Sequence, residues 1–267
     1  MQFKQAEAGP LTEYQLNQTM VIPYRDIIHP DGLVRIEYFH DLDVERPSAF
    51  QRFRARLAVF YQEAQKGIWK TMVTETMTSA ELAARMYEIK VMNPMERFAK
   101  GTDTRQWFSA STDECEQIFC YGYAGLNLNL VLNCHINERK NEVSGEILRG
   151  PFAPGRLATR GALSAMWQEQ YHIYTLRDQD GQRQYQLQTQ NDGQWASTTQ
   201  IDAPNPCYPH YESLWVNWVG ERPPIHTMVY GDTGTGKSTF ACSFPKPMLV
   251  FMFDRMGKDL PFWKHYQ

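Results

Sequence analysis

The spacing of apolar and polar positions changes several times along the chain, and each change predicts an element. Val34-Arg-Ile-Glu-Tyr-Phe39 alternates with the two-residue period of a half-buried strand. Pro47 and Ser48 then open a segment carrying Phe50, Phe53, Leu57 and Phe60 at helical spacing, which predicts an amphipathic helix ending near Gly67. Trp69 to Thr74 reads as a buried strand. Thr78 or Ser79 caps a second helix with Leu82, Met86 and Ile89 on one face. A third helix is expected over Thr112 to Tyr123, and another buried strand over Leu126 to Cys134, where alternating asparagines are unusual company.

The remaining stretches are less regular. Met1 to about Asp31 is polar, holds Pro10, Pro23 and Pro30, and reads as extended loop. Asn93 to Ser109 is loop-like. A long polar loop containing Arg139, Lys140, Arg149, Arg156 and Arg160 follows His135. Three short strands are expected near Tyr171–Leu176, Gln184–Leu187 and Trp195–Thr198, with Asp180-Gly181 and Asp192-Gly193 as hairpin turns. After Pro223-Pro224 comes strand Ile225–Tyr230, a glycine-rich turn, a helix and strand Met248–Phe253. Strands alternating with helices predict an α/β fold with a mostly parallel sheet, flanked by helices and extended by a short antiparallel set, in one domain over 1–267.

Composition narrows the function classes. With 27 basic and 30 acidic side chains the net charge is −3, so no global basic field marks a nucleic-acid binder and any such site has to be a local patch. The five cysteines fall into no metal-ligand spacing and are expected as reduced thiols in the cytoplasm. The N-terminus lacks the apolar run of a signal peptide, and the apolar stretch Met248 to Phe253 is too short to span a bilayer, so no membrane partner is expected.

One motif carries specific chemistry. Gly231-Asp-Thr-Gly-Thr-Gly-Lys-Ser238 fits G-x-x-x-x-G-K-[ST] between an apolar strand and a helix. Its glycines let successive backbone N–H groups face phosphate oxygens. Lys237 brings a point charge to the outer phosphates, Ser238 offers a hydroxyl to magnesium, and Thr239 continues into the helix. Gly231, Asp232, Thr233, Gly234, Thr235, Gly236, Lys237, Ser238 and Thr239 are therefore the expected binding residues for ATP with Mg2+. Such a site needs a second strand ending in a carboxylate and a γ-phosphate sensor, and both are sought upstream. Trp69-Lys-Thr-Met-Val-Thr-Glu75 delivers an acid, and Leu128-Asn-Leu-Val-Leu-Asn-Cys-His135 ends in a histidine.

With those pieces in view, the chain resembles the phage RecA-like P-loop nucleotide-binding proteins associated with single-strand annealing and recombination. The family's order of pieces appears when the chain is read from about Glu221 to Gln267 and then from Met1 to Tyr211, as in a circular permutation. Completion of a neighbouring subunit's site by the C-terminal unit, or an artificial rearrangement, gives the same order. The resemblance implies that Glu75, where the family carries aspartate, holds the magnesium water shell together with Ser238. It implies that Asp254 activates water and that His135 senses the γ-phosphate. The family's trans-acting Lys/Arg pair is replaced by Trp195-Ala-Ser-Thr-Thr199, which has no cation.

The expected function is a magnesium-dependent ATPase that forms a homo-oligomer on single-stranded DNA. The DNA would lie against Arg97, Lys100, Arg105, Arg139, Lys140, Arg149 and Arg156. A nucleotide-dependent switch or assembly module with little turnover is the alternative. A small-molecule phosphotransferase is a third class, but no arginine-rich lid for one is visible in the sequence.

Overall fold

Buried apolar runs from both ends of the chain build one sheet. A computed structural model describes residues 7–41, 43, 45–93, 105–140, 145–152 and 167–254. In chain order the strands are β1 (Glu7–Ala8), β2 (Thr12–Asn17), β3 (Met20–His29), β4 (Gly32–Tyr38), β5 (Thr71–Glu75), β6 (Asn129–Cys134), β7 (Ile136–Lys140), β8 (Ile147–Pro151), β9 (Glu169–Arg177), β10 (Arg183–Gln188), β11 (His226–Tyr230) and β12 (Met248–Met252). The helices are α1 (Ala49–Gln65), α2 (Met77–Tyr87), α3 (Arg105–Glu116) and α4 (Lys237–Cys242).

Ten strands form the main sheet in the order β1-β3-β4-β12-β5-β6-β11-β9-β10, with β2 on β3. From β4 to β9 all neighbours are parallel. The outer pairs β3–β4 and β9–β10 are antiparallel, and β7 and β8 make a separate antiparallel hairpin. The architecture is thus α/β, with a mostly parallel large sheet flanked by helices and a small antiparallel pair.

The parallel strands are buried on both faces, as crossover helices require. One face packs under α1, α2 and α3, through residues such as Phe53, Met77, Ala84 and Phe119. The other packs under α4 and the short helical turn Tyr211–Trp215, through Phe240, Ala241 and Leu214. Phe53 of α1 meets Phe253 at 4.8 Å and Phe251 at 5.4 Å, both edge-to-face. Each such pair adds about 0.5–1.5 kcal/mol beyond burial. Beside this cluster, Arg56 of α1 pairs with the buried Glu37 of β4 at 2.9 Å and with Glu63 at 2.8 Å, and Trp69 Nε1 donates to Glu63 at 2.7 Å. Arg56 Nε and Nη2 are thus paired while its Nη1 is buried without a partner, and the network ties α1 to the sheet.

Several expectations change. Met1–Asp31 was expected as loop, yet its described part forms β2 and β3. Pro23 is accommodated in β3 opposite Glu13, on the outlying β2–β3 pair where β2 is already irregular between Gln15 and Asn17. The long polar loop after His135 contains the hairpin β7–β8. Its register runs from Ile136 opposite Pro151 to Lys140 opposite Ile147. Helix α3 begins at Arg105, inside the stretch read as loop. The buried face of α2 is Met77, Ala80, Ala84 and Tyr87, while Leu82 is 52% exposed.

The cap of α2 is Thr76, whose hydroxyl accepts from Ser79 N at 3.3 Å, rather than Thr78 or Ser79. Replacing Thr76 by alanine should lower stability by about 1 kcal/mol in urea unfolding. An unchanged midpoint would show that this cap contributes nothing.

Candidate functional site

Every parallel strand of the sheet ends at the same edge, and the glycine loop lies there. Strand β11 runs into Gly231, and α4 starts at Lys237 with Gly236 as its cap at φ 93°. Gly234 has φ 81°, so both positions need the left-handed freedom of glycine. At Gly231 a Cβ would collide with the carbonyl oxygen of Ile173 in β9. The loop therefore lies tight against the neighbouring strand while Asp232, Thr233 and Gly234 stay exposed. Thr235, mostly buried, ties the turn by donating its hydroxyl to Asp232 O at 2.8 Å. Ser238 and Thr239 are half-buried in the first turn of α4.

Alternation along the strands sets which side chains share this face. Val73, Val131, Val229 and Met252 pack on the α4 side. Two residues on from Val73, Val131 and Met252 come Glu75, Asn133 and Asp254. Strand β6 separates β5 from β11, so Glu75 is delivered across one strand to the loop. Its carboxyl accepts from Asn133 Nδ2 and is hydrogen-bonded to Ser238. Burial raises the Glu75 pKa to about 7, against the lowering effects of the Asn133 bond, the Lys237 charge and the Ser238 bond. Asn133 Oδ1 is itself buried and has no hydrogen-bond partner.

Lys237 is 7% exposed, and its Nζ donates to Gly231 O and Asp232 O, both at 2.8 Å. Burial lowers its pKa, while Glu75 and more distant acids raise it. Asp254 is half-buried just past β12 and accepts from Ser79 Oγ at 2.6 Å. Ser79 in turn is bonded to Thr76 Oγ1 at 3.2 Å. A polar chain thus runs from the cap of α2 to Asp254, beside Glu75.

His135 sits one residue beyond β6, half-buried, with its carbonyl accepting from Phe152 N at 2.7 Å. It therefore stands where the hairpin leaves the sheet. The hairpin is also tied to the loop strand by stacked rings. His172 of β9 lies 3.7 Å from Trp195 with the planes 6° apart, and 5.1 Å from Tyr230, the residue before Gly231. Arg149 of β8 covers the Trp195 ring at 5.0 Å, and Tyr230 donates its hydroxyl to Ala196 O at 2.8 Å.

Of the cations assigned to DNA, Arg139 and Lys140 are exposed on β7, and Arg105 is exposed at the start of α3. Arg149 is committed to Glu138 at 2.6 Å as well as to Trp195. Arg97, Lys100 and Arg156 lie outside the described residues, as do Met1 and Gln267. Sequence reading passed over Asn133, Ser79 and the ring stack. The asparagines of β6 were the available signal, since a buried strand that spends positions on amides has polar partners to satisfy.

The residues fit a magnesium–triphosphate group. The loop has the required glycine conformations, a buried cation and a hydroxyl–carboxylate pair. Among the described residues no three His, Cys, Asp or Glu side chains cluster to hold a metal. A hydroxyl and one carboxylate are nevertheless ordinary protein ligands for magnesium, which keeps several waters. No helix among them is long and apolar enough to cross a membrane. Comparisons with protein-family models, with curated proteins and with solved structures found no match.

Proposed function

We propose that this protein binds ATP with magnesium in the loop Gly231–Ser238 and hydrolyses it as a RecA-like ATPase of permuted order, acting on single-stranded DNA as a homo-oligomer. The observation that carries the reading is the delivery of the buried Glu75 carboxyl, across one intervening strand of the same chain, to the sheet end that holds the loop with Lys237 and Ser238. A strand-end carboxylate is brought onto the loop hydroxyl by a strand two places away, which a glycine turn with only a structural role would not need. That delivery also favours a permuted chain over exchange between subunits. Started at β11, the mutually parallel strands run β11, β12, β4, β5, β6, β9, and the two segments interleave in one sheet.

Bound magnesium would neutralise phosphate charge and polarise the outer phosphate. The chain's own residues have defined tasks. Backbone N–H groups from Gly234 to Ser238 face the anion. Lys237 Nζ exchanges the carbonyls of Gly231 and Asp232 for phosphate oxygen. Ser238 and Glu75 hold the metal and its waters. Asp254, oriented by Ser79, is placed to accept a proton from attacking water, and Asn133 fixes the Glu75 carboxyl. His135 links the site to the hairpin that carries Arg139 and Lys140.

A nucleotide-dependent switch with little turnover is the second reading. The burial of Glu75 favours it, because a desolvated carboxyl whose pKa is raised to about 7 ionises less readily and is a weaker metal ligand. Steady-state phosphate release with and without single-stranded DNA separates the two. Release stimulated by DNA is expected; ATP binding with no release in either condition would leave the switch. Neutralising Arg139 and Lys140 together should weaken ATP-dependent binding to single strands. It should also reduce the slope of log K against log salt by about 1.4, at roughly 0.7 for each lost phosphate contact. Binding indifferent to salt and to the double change would remove DNA from the proposal.

A further inference from the structure

Tyr185 lies where nothing in the phosphate chemistry requires an aromatic ring. It belongs to β10, the strand at one edge of the main sheet. Leu187, two residues on, is buried with Val229 and Phe240, so Tyr185 is on the same face as α4 and the loop. The ring packs on the loop backbone itself: a Cβ at Gly236 would stand 3.3 Å from Tyr185 Cδ1 and 3.6 Å from Cε1. Yet the side chain is 36% exposed. A large ring is thus held against the loop with part of its surface open to solvent.

The sheet order gives that surface a direction. Ser238, Glu75 and Asp254 mark the end of the site that takes metal and outer phosphate, and Glu75 and Asp254 come from β5 and β12 on one side of β11. A nucleotide is a linear molecule. With its outer phosphate drawn to that side, the sugar and base leave the loop toward the other side, where β9 and β10 lie. Tyr185 is the exposed aromatic of β10 there.

We propose that Tyr185 is the stacking wall of a nucleobase subsite, contributing to affinity for a nucleoside triphosphate through ring–base contact; this rests on the phosphate-loop reading above. Stacking uses the π-face that every base offers, so the subsite favours the larger purines over pyrimidines without reading their edges.

The test compares MgATP with magnesium tripolyphosphate, which has the phosphates and no base, in calorimetric titrations of wild type, Tyr185→Ala, Tyr185→Leu and Tyr185→Phe. Wild type should bind ATP more tightly than tripolyphosphate. Tyr185→Ala and Tyr185→Leu should each lose about tenfold in ATP affinity with tripolyphosphate affinity unchanged, and Tyr185→Phe should match wild type. The leucine variant retains apolar packing on Gly236, which separates stacking from support of the loop. Equal losses for both ligands would make Tyr185 a prop for the loop and overturn the subsite. Unchanged ATP affinity in the alanine and leucine variants, with tripolyphosphate still bound, would overturn it too. If wild type bound neither ligand, the phosphate-loop reading would fail first and the subsite with it.

Discussion

Lys237→Ala should reduce ATP affinity by more than about 100-fold while the protein stays folded. Lys237 is the one cation built into the loop sequence, and on the proposed function it would meet the outer phosphates as a point charge. Its partners in the structure are two carbonyl oxygens of its own loop, Gly231 O and Asp232 O. Losing those two bonds costs about 1 kcal/mol each. Removing an ammonium whose burial disfavours its charge offsets part of that cost. The melting temperature should therefore move by a few degrees at most, and circular dichroism before and after the calorimetric titration checks both halves. A folded variant with wild-type affinity would end the nucleotide assignment.

Glu75→Gln should make the unliganded protein more stable at pH 8 while removing metal-dependent turnover. The ordinary glutamate pKa is 4.5, and burial lifts that of Glu75 to about 7. Between those values the folded state holds a proton that the unfolded state has released. The contribution to stability is therefore complete below pH 4.5, declines as pH rises, and is gone above about 7. By linkage the difference is about 3 kcal/mol. Glutamine keeps an acceptor for Asn133 and has no charge to bury, so its curve should be flat through this window. Urea midpoints at pH 5 and pH 8, without metal or nucleotide, measure the effect. Parallel pH curves for the two proteins would refute the burial argument. On the proposed function, Glu75 would trade stability for metal binding.

How much of this was legible in the sequence depended on what each residue had to satisfy. The turn after β11 was, because Gly234 and Gly236 take the left-handed conformations that favour glycine and α4 begins at Lys237. Strands β5, β6, β11 and β12 were, because strands buried on both faces leave continuous apolar runs. Helix α1 was, through its phenylalanine spacing. The face of α2 was not: Leu82 and Met86 look more like core than Ala80 and Ala84, and close packing selects small side chains without announcing it. The hairpin β7–β8 was hidden because an arm away from the core has no apolar alternation to display. Glu75 and His135 were visible as strand-end residues, but the amide that holds Glu75 was not. Asn133 has meaning only once β6 is known to run between β5 and β11. The same holds for Asn129, which takes Ile225 N at 3.1 Å and gives its amide to Lys70 O at 3.2 Å across two neighbouring strands.

The interleaving of strands also bears on how the molecule is made. β11 and β12 each have a partner on both sides, and both leave the ribosome after the other described strands. Until they emerge, β4 cannot join β5, and β6 cannot join β9. The nascent chain holds three strand groups with open edges, each a template for pairing with the wrong neighbour. The segment that closes those gaps also carries the glycine loop Gly231–Ser238. Synthesis of this segment therefore joins the main sheet and supplies the proposed nucleotide loop together, and a chain stopped before Ile225 would have neither.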